Sequence, residues 1–301
     1  MTGIRVRAHA KINLDLRVLG TRADGFHELR TVFQSIALHD TLTCVSRPGP
    51  FAIECEADGL PLGHTNLIWR AADRLWRALR RTGEARDVVV TLDKRIPQQA
   101  GLGGGSANAA AALVALSRLW RTEVRAEQLT DIAATLGADV PFFLAGGTAL
   151  GLGRGDEIHA LADLPRHWVV LLIPGFGVSS GDAYRWYDAW RARGDAVKRE
   201  PQFMPAPWSS SRAAQMINDL EAPVAGQYPE ILQMRAALRR GGAVAASMTG
   251  SGSTVFGLFD RRHDAQAALD QLAGSGWGAV LTESLGRAEH ERSTAPRAAR
   301  V

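Results

Sequence analysis

Lysine is almost missing from this chain. Of 35 basic residues only three are lysine, at Lys11, Lys94 and Lys198. Lysine is a compact point charge whose pKa can shift, whereas arginine is a rigid planar fork, so the three positions mark places where a guanidinium would not serve. Cysteine is scarce too. Cys44 and Cys55 fit no metal-ligand spacing and flank Arg47-Pro48-Gly49-Pro50 in strand-like runs, where they are expected reduced and buried. Residues Met1 to Arg7 lack the apolar h-region of a secretory signal. The apolar run Trp168 to Ile173 stops at Pro174, far short of a membrane span, so a cytoplasmic, soluble protein with no membrane partner is expected. Basic stripes interleaved with aromatics are lacking. Half of the net charge of +4 comes from the last fifteen residues, so the pI of 9.5 is weak support for a nucleic-acid partner, and none is expected. Gly-Lys occurs nowhere, which excludes a Walker phosphate loop.

What is present is ample for a large core: 301 residues, 46% hydrophobic and 22% charged, enough for one or two domains. The most informative stretch is Ile96-Pro97-Gln98-Gln99-Ala100-Gly101-Leu102-Gly103-Gly104-Gly105-Ser106-Ala107-Asn108. A strand-like run, Asp87 to Lys94, precedes it. After it, apolar residues at 109, 112, 113, 116, 119 and 120 have helical spacing. Glycines let a backbone approach a ligand closely, and a helix start offers unpaired N–H groups and positive potential. Strand, glycine loop and helix start together suit a phosphate, although a plain glycine-rich turn has the same look. A dinucleotide fingerprint would need glycine where Ser106 stands.

The first third reads as β-rich and antiparallel. Ile4 to Ala8 alternates, and Ile12, Leu14, Leu16 and Val18 put one apolar face on the next run. Lys11, Asn13 and Asp15 share the opposite face, which is either a solvated surface or the wall of a polar site. Thr31 to Leu38 and Thr41 to Val45 read as two strands joined at His39-Asp40, and Phe51 to Glu56 continues the sheet. Asn66 opens a helix reaching about Arg81, and Leu129 to Leu136 is another. Asp139, alone among apolar residues before Val140-Pro141, is either a helix cap or a carboxylate held for use at a cleft. A hairpin spans Thr148 to His159. After Pro165 the composition resets: strands near 168–173, 255–259 and 278–282; helices near 180–193, 211–221, 228–240 and 263–272; a loop from Lys198 to Ser211; and a second small-residue loop at Thr249-Gly250-Ser251-Gly252. The chain from Arg287 to its end reads as a disordered tail.

Four blocks in order, Ala8 to Leu16, Pro97 to Ala110, Gly137 to Phe143 and Met248 to Phe256, resemble the GHMP kinase superfamily of small-molecule kinases. Arg22-Ala23-Asp24-Gly25-Phe26-His27 adds a resemblance to the branch that phosphorylates a cytidine-diphosphate sugar alcohol in the non-mevalonate route to isoprenoid precursors. The resemblance implies an α+β, two-domain fold: a ribosomal-protein-S5-domain-2-like ATP domain at 1–162 and a ferredoxin-like α/β sandwich at 163–286. It implies ATP and Mg²⁺ as cofactors, a small-molecule acceptor, and a monomer or weak homodimer. Lys11 and Asp139 match the catalytic pair. Asn66, Lys94, Pro97, Gly101, Leu102, Gly103, Gly104, Gly105, Ser106 and Ala107 match the nucleotide site, with Ser106 a possible Mg²⁺ hydroxyl. Asn13, Phe26, His27, Asp139, Ser180, Thr249 and Gly250 match the acceptor site. Phe26 stands where tyrosine is more usual, keeping the stacking face without the hydroxyl. The bland alternatives are another small-molecule kinase of the superfamily or a non-catalytic nucleotide or sugar binder.

Overall fold

Two long strands organise the first half of the computed structural model, which describes residues 2–194 and 216–300. β1 (Thr2–Thr21) and β2 (His27–Pro50) pair antiparallel along nearly their whole length. The sequence reading cuts each into two. The structure keeps them whole because His39 and Asp40, read as a joint, lie in register opposite His9 and Ala8. Irregularities are absorbed as bulges, with register shifts between His9 and Lys11 and between Asn13 and Asp15; a bulge re-aims side chains without ending a strand. The turn is closed by the Asp24 carboxylate, which accepts from the Phe26 N–H at 3.1 Å, and by Gly25 at φ +82°.

β3 (Ala52–Glu54), β4 (Arg86–Asp93), β5 (Thr148–Leu152) and β6 (Glu157–Ala160) join this sheet from the expected regions. Helices α1 (Leu67–Ala78), α2 (Gly104–Leu119), α3 (Ala126–Leu136) and α4 (Val140–Ala145) share a core with Val6, Ala8, Phe33, Leu42, Val88 and Val90. The α2 face is nearly all alanine and fully buried. Small side chains let that helix lie close to β1, β2 and α1.

The second body is a four-stranded sheet of β7 (Trp168–Ile173), β8 (Ala245–Met248), β9 (Val255–Phe259) and β10 (Gly278–Glu283). Its order is β10-β7-β9-β8 with antiparallel neighbours throughout. Helices α5 (Ser180–Ala192), α6 (Glu221–Gln227), α7 (Glu230–Arg240) and α8 (Arg262–Gln271) complete it. Strand order 4-1-3-2 is the ferredoxin-like arrangement. β9 and β10 run parallel with β7 between them, a split βαβ rather than an adjacent pair. The expected loop 198–211 and residues 211–215 of the expected helix 211–221 lie outside the described residues; 216–220 are not helical, and helix begins at Glu221.

β7 is apolar at every central position because both its faces are covered. Val170 and Leu172 face Met234 and Leu238. Val169 and Leu171 join Ala10, Ile12 and Leu14 of β1 in a seam between the two bodies. The even face of β1 therefore packs on the second body, and Lys11, Asn13 and Asp15 on its odd face are 3–5% exposed. The polar row is an internal wall, not a solvated surface. Desolvation is the leading effect on Asp15 and raises its carboxyl pKa, against the pull of Arg17.

The reading of residues 287–301 as a disordered tail is corrected. α9 (Arg287–Thr294) is followed by β11 (Arg297–Arg300), which pairs antiparallel with β1 from Thr2↔Arg300 to Arg5↔Arg297. The segment is polar because it is mostly exposed. It is fixed by backbone bonds to the open edge of β1 and by one buried residue, His290. His290 lies 5.6 Å from His9, which in turn lies 5.1 Å from His39.

Burial pushes the His9 pKa down to about 3, with the charges of His290 and His39 adding to the effect; burial also lowers that of His290, against its bond to Phe143 and the nearby Glu291. Groups depressed in the folded state stabilise it fully above their unfolded value of about 6.5. That contribution is lost as pH falls below it. Thermal unfolding should therefore show a midpoint that drops between pH 7 and pH 5, and His9→Gln should flatten the drop. A midpoint equally steep in the variant would remove His9 from the account.

Candidate functional site

A cleft of about 1210 Å³ opens between the two bodies, and it gathers residues from both. β1 enters it at Lys11 and Asn13. The Lys11 ammonium is 3.5 Å from Asp139 Oδ2 and donates to Asn13 Oδ1 at 2.5 Å. The lysine side chain is 4% exposed and that of Asp139 35%. Asp139 is the residue before α4, yet its side chain makes no capping bond there. The cap alternative thus describes its place in the chain, and its carboxylate is left for the cleft and Lys11. Asn13 uses its amide internally: its Nδ2 donates to Thr31 Oγ1 at 2.7 Å, and its Oδ1 accepts from Lys11 and, at 3.3 Å, from Thr249. It orients the ammonium and does not bond Asp139.

The glycine loop sits across this pair. Gly103 is the N-cap of α2 in left-handed conformation, so the helix starts at Gly104, earlier than sequence spacing suggested. Gly101 through Ser106 line the cleft, with Leu102 turned inward at 1% exposure; Ala107 is buried behind it. Left-handed φ and close neighbours both demand glycine here. A Cβ at Gly101 would lie 2.1 Å from the Thr249 carbonyl oxygen, and one at Gly103 2.6 Å from Phe143 Cζ. The second small-residue loop thus packs directly under the first. Thr249 donates to the Gly101 carbonyl at 3.2 Å and is fully buried, so it braces the loop and does not line the cleft. Gly250 does line it; a Cβ there would come 3.0 Å from Lys11 Nζ. Asn218, missed by sequence reasoning, donates to the carbonyls of Met248 and Gly250 at 2.8 Å each.

Lys94 proves to be a bracket. Its ammonium bonds the Ile96 carbonyl and, at 2.8 Å, Asp40 Oδ2. Asp40 is fully buried, and its other oxygen accepts the N–H groups of Arg95 and Ile96 at 2.7 and 2.8 Å. This knot sets the entry to the glycine loop beneath Gly104. Asp40 carried no motif; a lone acid beside histidine looks like a turn. Asn66 caps α1, accepting from the Ile68 N–H at 2.8 Å, and beside Leu60, Pro61, Leu67 and Pro97 it walls an apolar end of the cleft.

At the opposite end stand Phe26 and His27. Phe26 is 55% exposed with the Arg154 guanidinium 5.3 Å from its ring centre. His27 Nε2 lies 2.8 Å from Asp188 Oδ1, and its ring stacks on Tyr184 at 4.7 Å. Tyr184 and Asp188 belong to α5, so the clamp is built across the two bodies. Burial pushes the Tyr184 hydroxyl up, with Asp139 adding to the rise. Sequence reasoning missed Tyr184 and Asp188 on α5 and Arg154 in the turn between β5 and β6, since residues of separate elements have no shared spacing. Ser180, at the start of α5, reaches Ser251 at 3.2 Å and closes the rim. Among the described residues no group of three or more His, Cys, Asp or Glu side chains could hold a metal ion, and no helix is long and apolar enough to cross a membrane.

Comparison with known proteins agrees with this geometry. The profile of the GHMP kinases N terminal domain matches residues 66–147, and that of the GHMP kinases C terminal domain matches 209–279. A 4-diphosphocytidyl-2-C-methyl-D-erythritol kinase of Solibacter usitatus is 44% identical over 89% of this chain and 84% of its own length. One of Moorella thermoacetica is 42% identical over 95% of this chain and its full length. Among solved structures, a 4-(cytidine 5'-diphospho)-2C-methyl-D-erythritol kinase superposes with TM-score 0.76 at 34% identity, covering 94% of this chain and 99% of that one. A homoserine kinase from Cytophaga hutchinsonii, 19% identical with TM-score 0.68 over 99% and 97% of the two chains, shares the fold.

The Asp40 knot gives a direct test of how the loop is held. Asp40→Ala leaves a buried ammonium unpaired and should destabilise the protein by about 3–5 kcal/mol. Asp93→Ala, which breaks only the exposed pair with Arg95, should stay within about 1 kcal/mol. Equal midpoints in denaturant for the two variants would refute the bracket.

Proposed function

Because this chain belongs to the 4-diphosphocytidyl-2-C-methyl-D-erythritol kinases of the GHMP family, we propose that its cleft transfers the ATP γ-phosphoryl group to the 2-hydroxyl of that cytidylyl substrate, with Asp139 as base and Lys11 as its partner. The observation that carries the residue roles is the buried Lys11 ammonium, 3.5 Å from a carboxylate that does not cap its own helix. Phosphoryl transfer asks a protein chiefly for positioning and charge stabilisation, plus a base for the alcohol proton. Lys11 orients the Asp139 carboxylate toward the acceptor hydroxyl and adds positive charge where the transferring group gathers negative charge.

ATP is the phosphate donor of this family. The start of α2, with Gly103 to Ser106 against the cleft, offers the N–H groups and positive potential that suit its phosphates. The apolar end around Leu60, Pro61 and Leu67 suits a base. Mg²⁺, when bound, would neutralise phosphate charge. With no carboxylate cluster among the described residues, the site suits an ion held largely by phosphate oxygens and water, and the hydroxyl of Ser106, which lines the cleft, would join it. Phe26, His27 and Tyr184 would hold the cytosine, and Arg154 and Arg185, which also line this end, supply charge for a diphosphate. Asn13 and Thr249 act behind the site by fixing Lys11 and the glycine loop; Ser180 and Gly250 form the rim.

Asp139→Asn should leave the Kd for ATP within about threefold, while kcat falls by about 10²–10⁴-fold. A rate near wild type would rule Asp139 out as base. The acceptor assignment is decided by a coupled ADP-release assay: the cytidylyl sugar alcohol should turn over and homoserine or mevalonate should not.

A further inference from the structure

The residue that ties the C-terminal segment down also sits behind the catalytic lysine. His290 is 2% exposed, wedged between β1 and α4. Its Nε2 is 3.2 Å from the Phe143 carbonyl oxygen, which makes it the protonated nitrogen of a neutral ring donating that bond. The wedge is built for close approach. Gly146 has φ +63°, and a Cβ there would lie 2.1 Å from His290 Cδ2, so only glycine leaves room for the imidazole. Arg287 secures the start of the same helix, donating to the Thr148 carbonyl at 2.7 Å and, from its backbone N–H, to Asp163 at 2.7 Å.

Phe143, the residue so held, packs against the start of the glycine loop. A Cβ at Gly103 would meet its ring at 2.6 Å and Lys11 Cγ at 3.2 Å, so the phosphate-loop cap is packed between the ring and the lysine stem. Close-packed neighbours transmit a displacement instead of absorbing it. α4 also begins immediately after Asp139. On β1, His9 adjoins His290 and stands two residues before Lys11. The C-terminal segment therefore touches directly the strand and helix that carry the catalytic pair, and the cap of the phosphate loop through Phe143 alone.

We propose that His290 is a positioning residue for phosphoryl transfer: through Phe143 it fixes Gly103 and Lys11, so the C-terminal segment is a working part of the nucleotide side of the site. This rests on the kinase reading above. The acceptor clamp of Phe26, His27 and Tyr184 is built from other elements, which gives the proposal a one-sided signature. Displacements of the order of an ångström at a reacting centre cost up to about 10²-fold in rate. His290→Ala should accordingly lower kcat by about tenfold and raise KM for ATP several-fold, with KM for the cytidylyl acceptor unchanged. His290→Gln keeps a donor for the Phe143 carbonyl and should restore most of both.

Steady-state kinetics in both substrates, with the folded fraction taken from thermal melts of the same samples, tests this. A variant that merely unfolds loses kcat in proportion to the folded fraction and keeps KM for ATP; that result would overturn the proposal, as would wild-type constants in His290→Ala, or His290→Gln behaving like the alanine variant. If His290→Ala does not fold, Phe143→Leu removes the ring from Gly103 while keeping the carbonyl bond. It should show the same rise in KM for ATP, and an unchanged value there refutes the proposal. If the wild-type protein fails to turn over the acceptor, the kinase assignment is at fault; titration with a fluorescent ATP analogue then decides this inference separately, with weaker binding by His290→Ala required and equal binding fatal.

Discussion

A lysine ammonium buried between two bodies is the constraint on which the site depends. Taking a cation out of water is costly unless it is paired and hydrogen-bonded, and Lys11 is 3% exposed. Its compensation comes from separate parts of the chain: Asn13 on its own strand, Asp139 ahead of α4, and the Gly250 turn of the second body pressed against it. Asn13 is in turn held by Thr31 of β2 and Thr249 of the second body. Correct placement of Lys11 against Asp139 therefore requires that both bodies be folded and docked.

The two glycine loops serve the same end. Phosphates need backbone N–H groups at close range, and close range means no side chain. The first loop brings the open start of α2 to the cleft; the second supplies the floor on which Gly101 rests, with Asn218 tying down its carbonyls. Behind the first loop, the Lys94–Asp40 pair fixes the turn from β4, and α2 lies tightly packed through its alanines. Each support is buried and polar, or buried and small. Rigid scaffolding behind an exposed loop is what preorganised charge stabilisation requires.

Much of this was legible in the chain. The glycine loop between strand and helix, the small-residue loop before β9, and the unpaired Asp139 all stand out by residue type and local spacing, because those signals are local. The apolar even face of β1 was also visible. Its opposite face was not interpretable alone: Lys11, Asn13 and Asp15 look like a solvated row until the second body covers the strand. Tyr184 and Asp188 gave no signal, since their meaning lies in being opposite His27 across the cleft. Asp40 looked like part of a turn, and His290 like part of a polar tail, for the same reason.

The sequence by itself determined the local chemistry: where a backbone could meet a phosphate, which carboxylate lacked a neighbour, which strands were buried on both faces, and which lysines survived in an arginine-rich chain. These follow from side-chain volume, charge and backbone freedom over a few residues. Tertiary structure alone decided which of these groups meet. It assigned Lys11 to Asp139 and Lys94 to Asp40, turned Thr249 from a lining residue into a brace, and brought residues 287–300 back to the edge of β1. Such pairings depend on contacts between residues far apart in the chain, 54 positions even for Lys94 and Asp40, and on backbone donors at a sheet edge, neither of which has a spacing that a linear reading can detect.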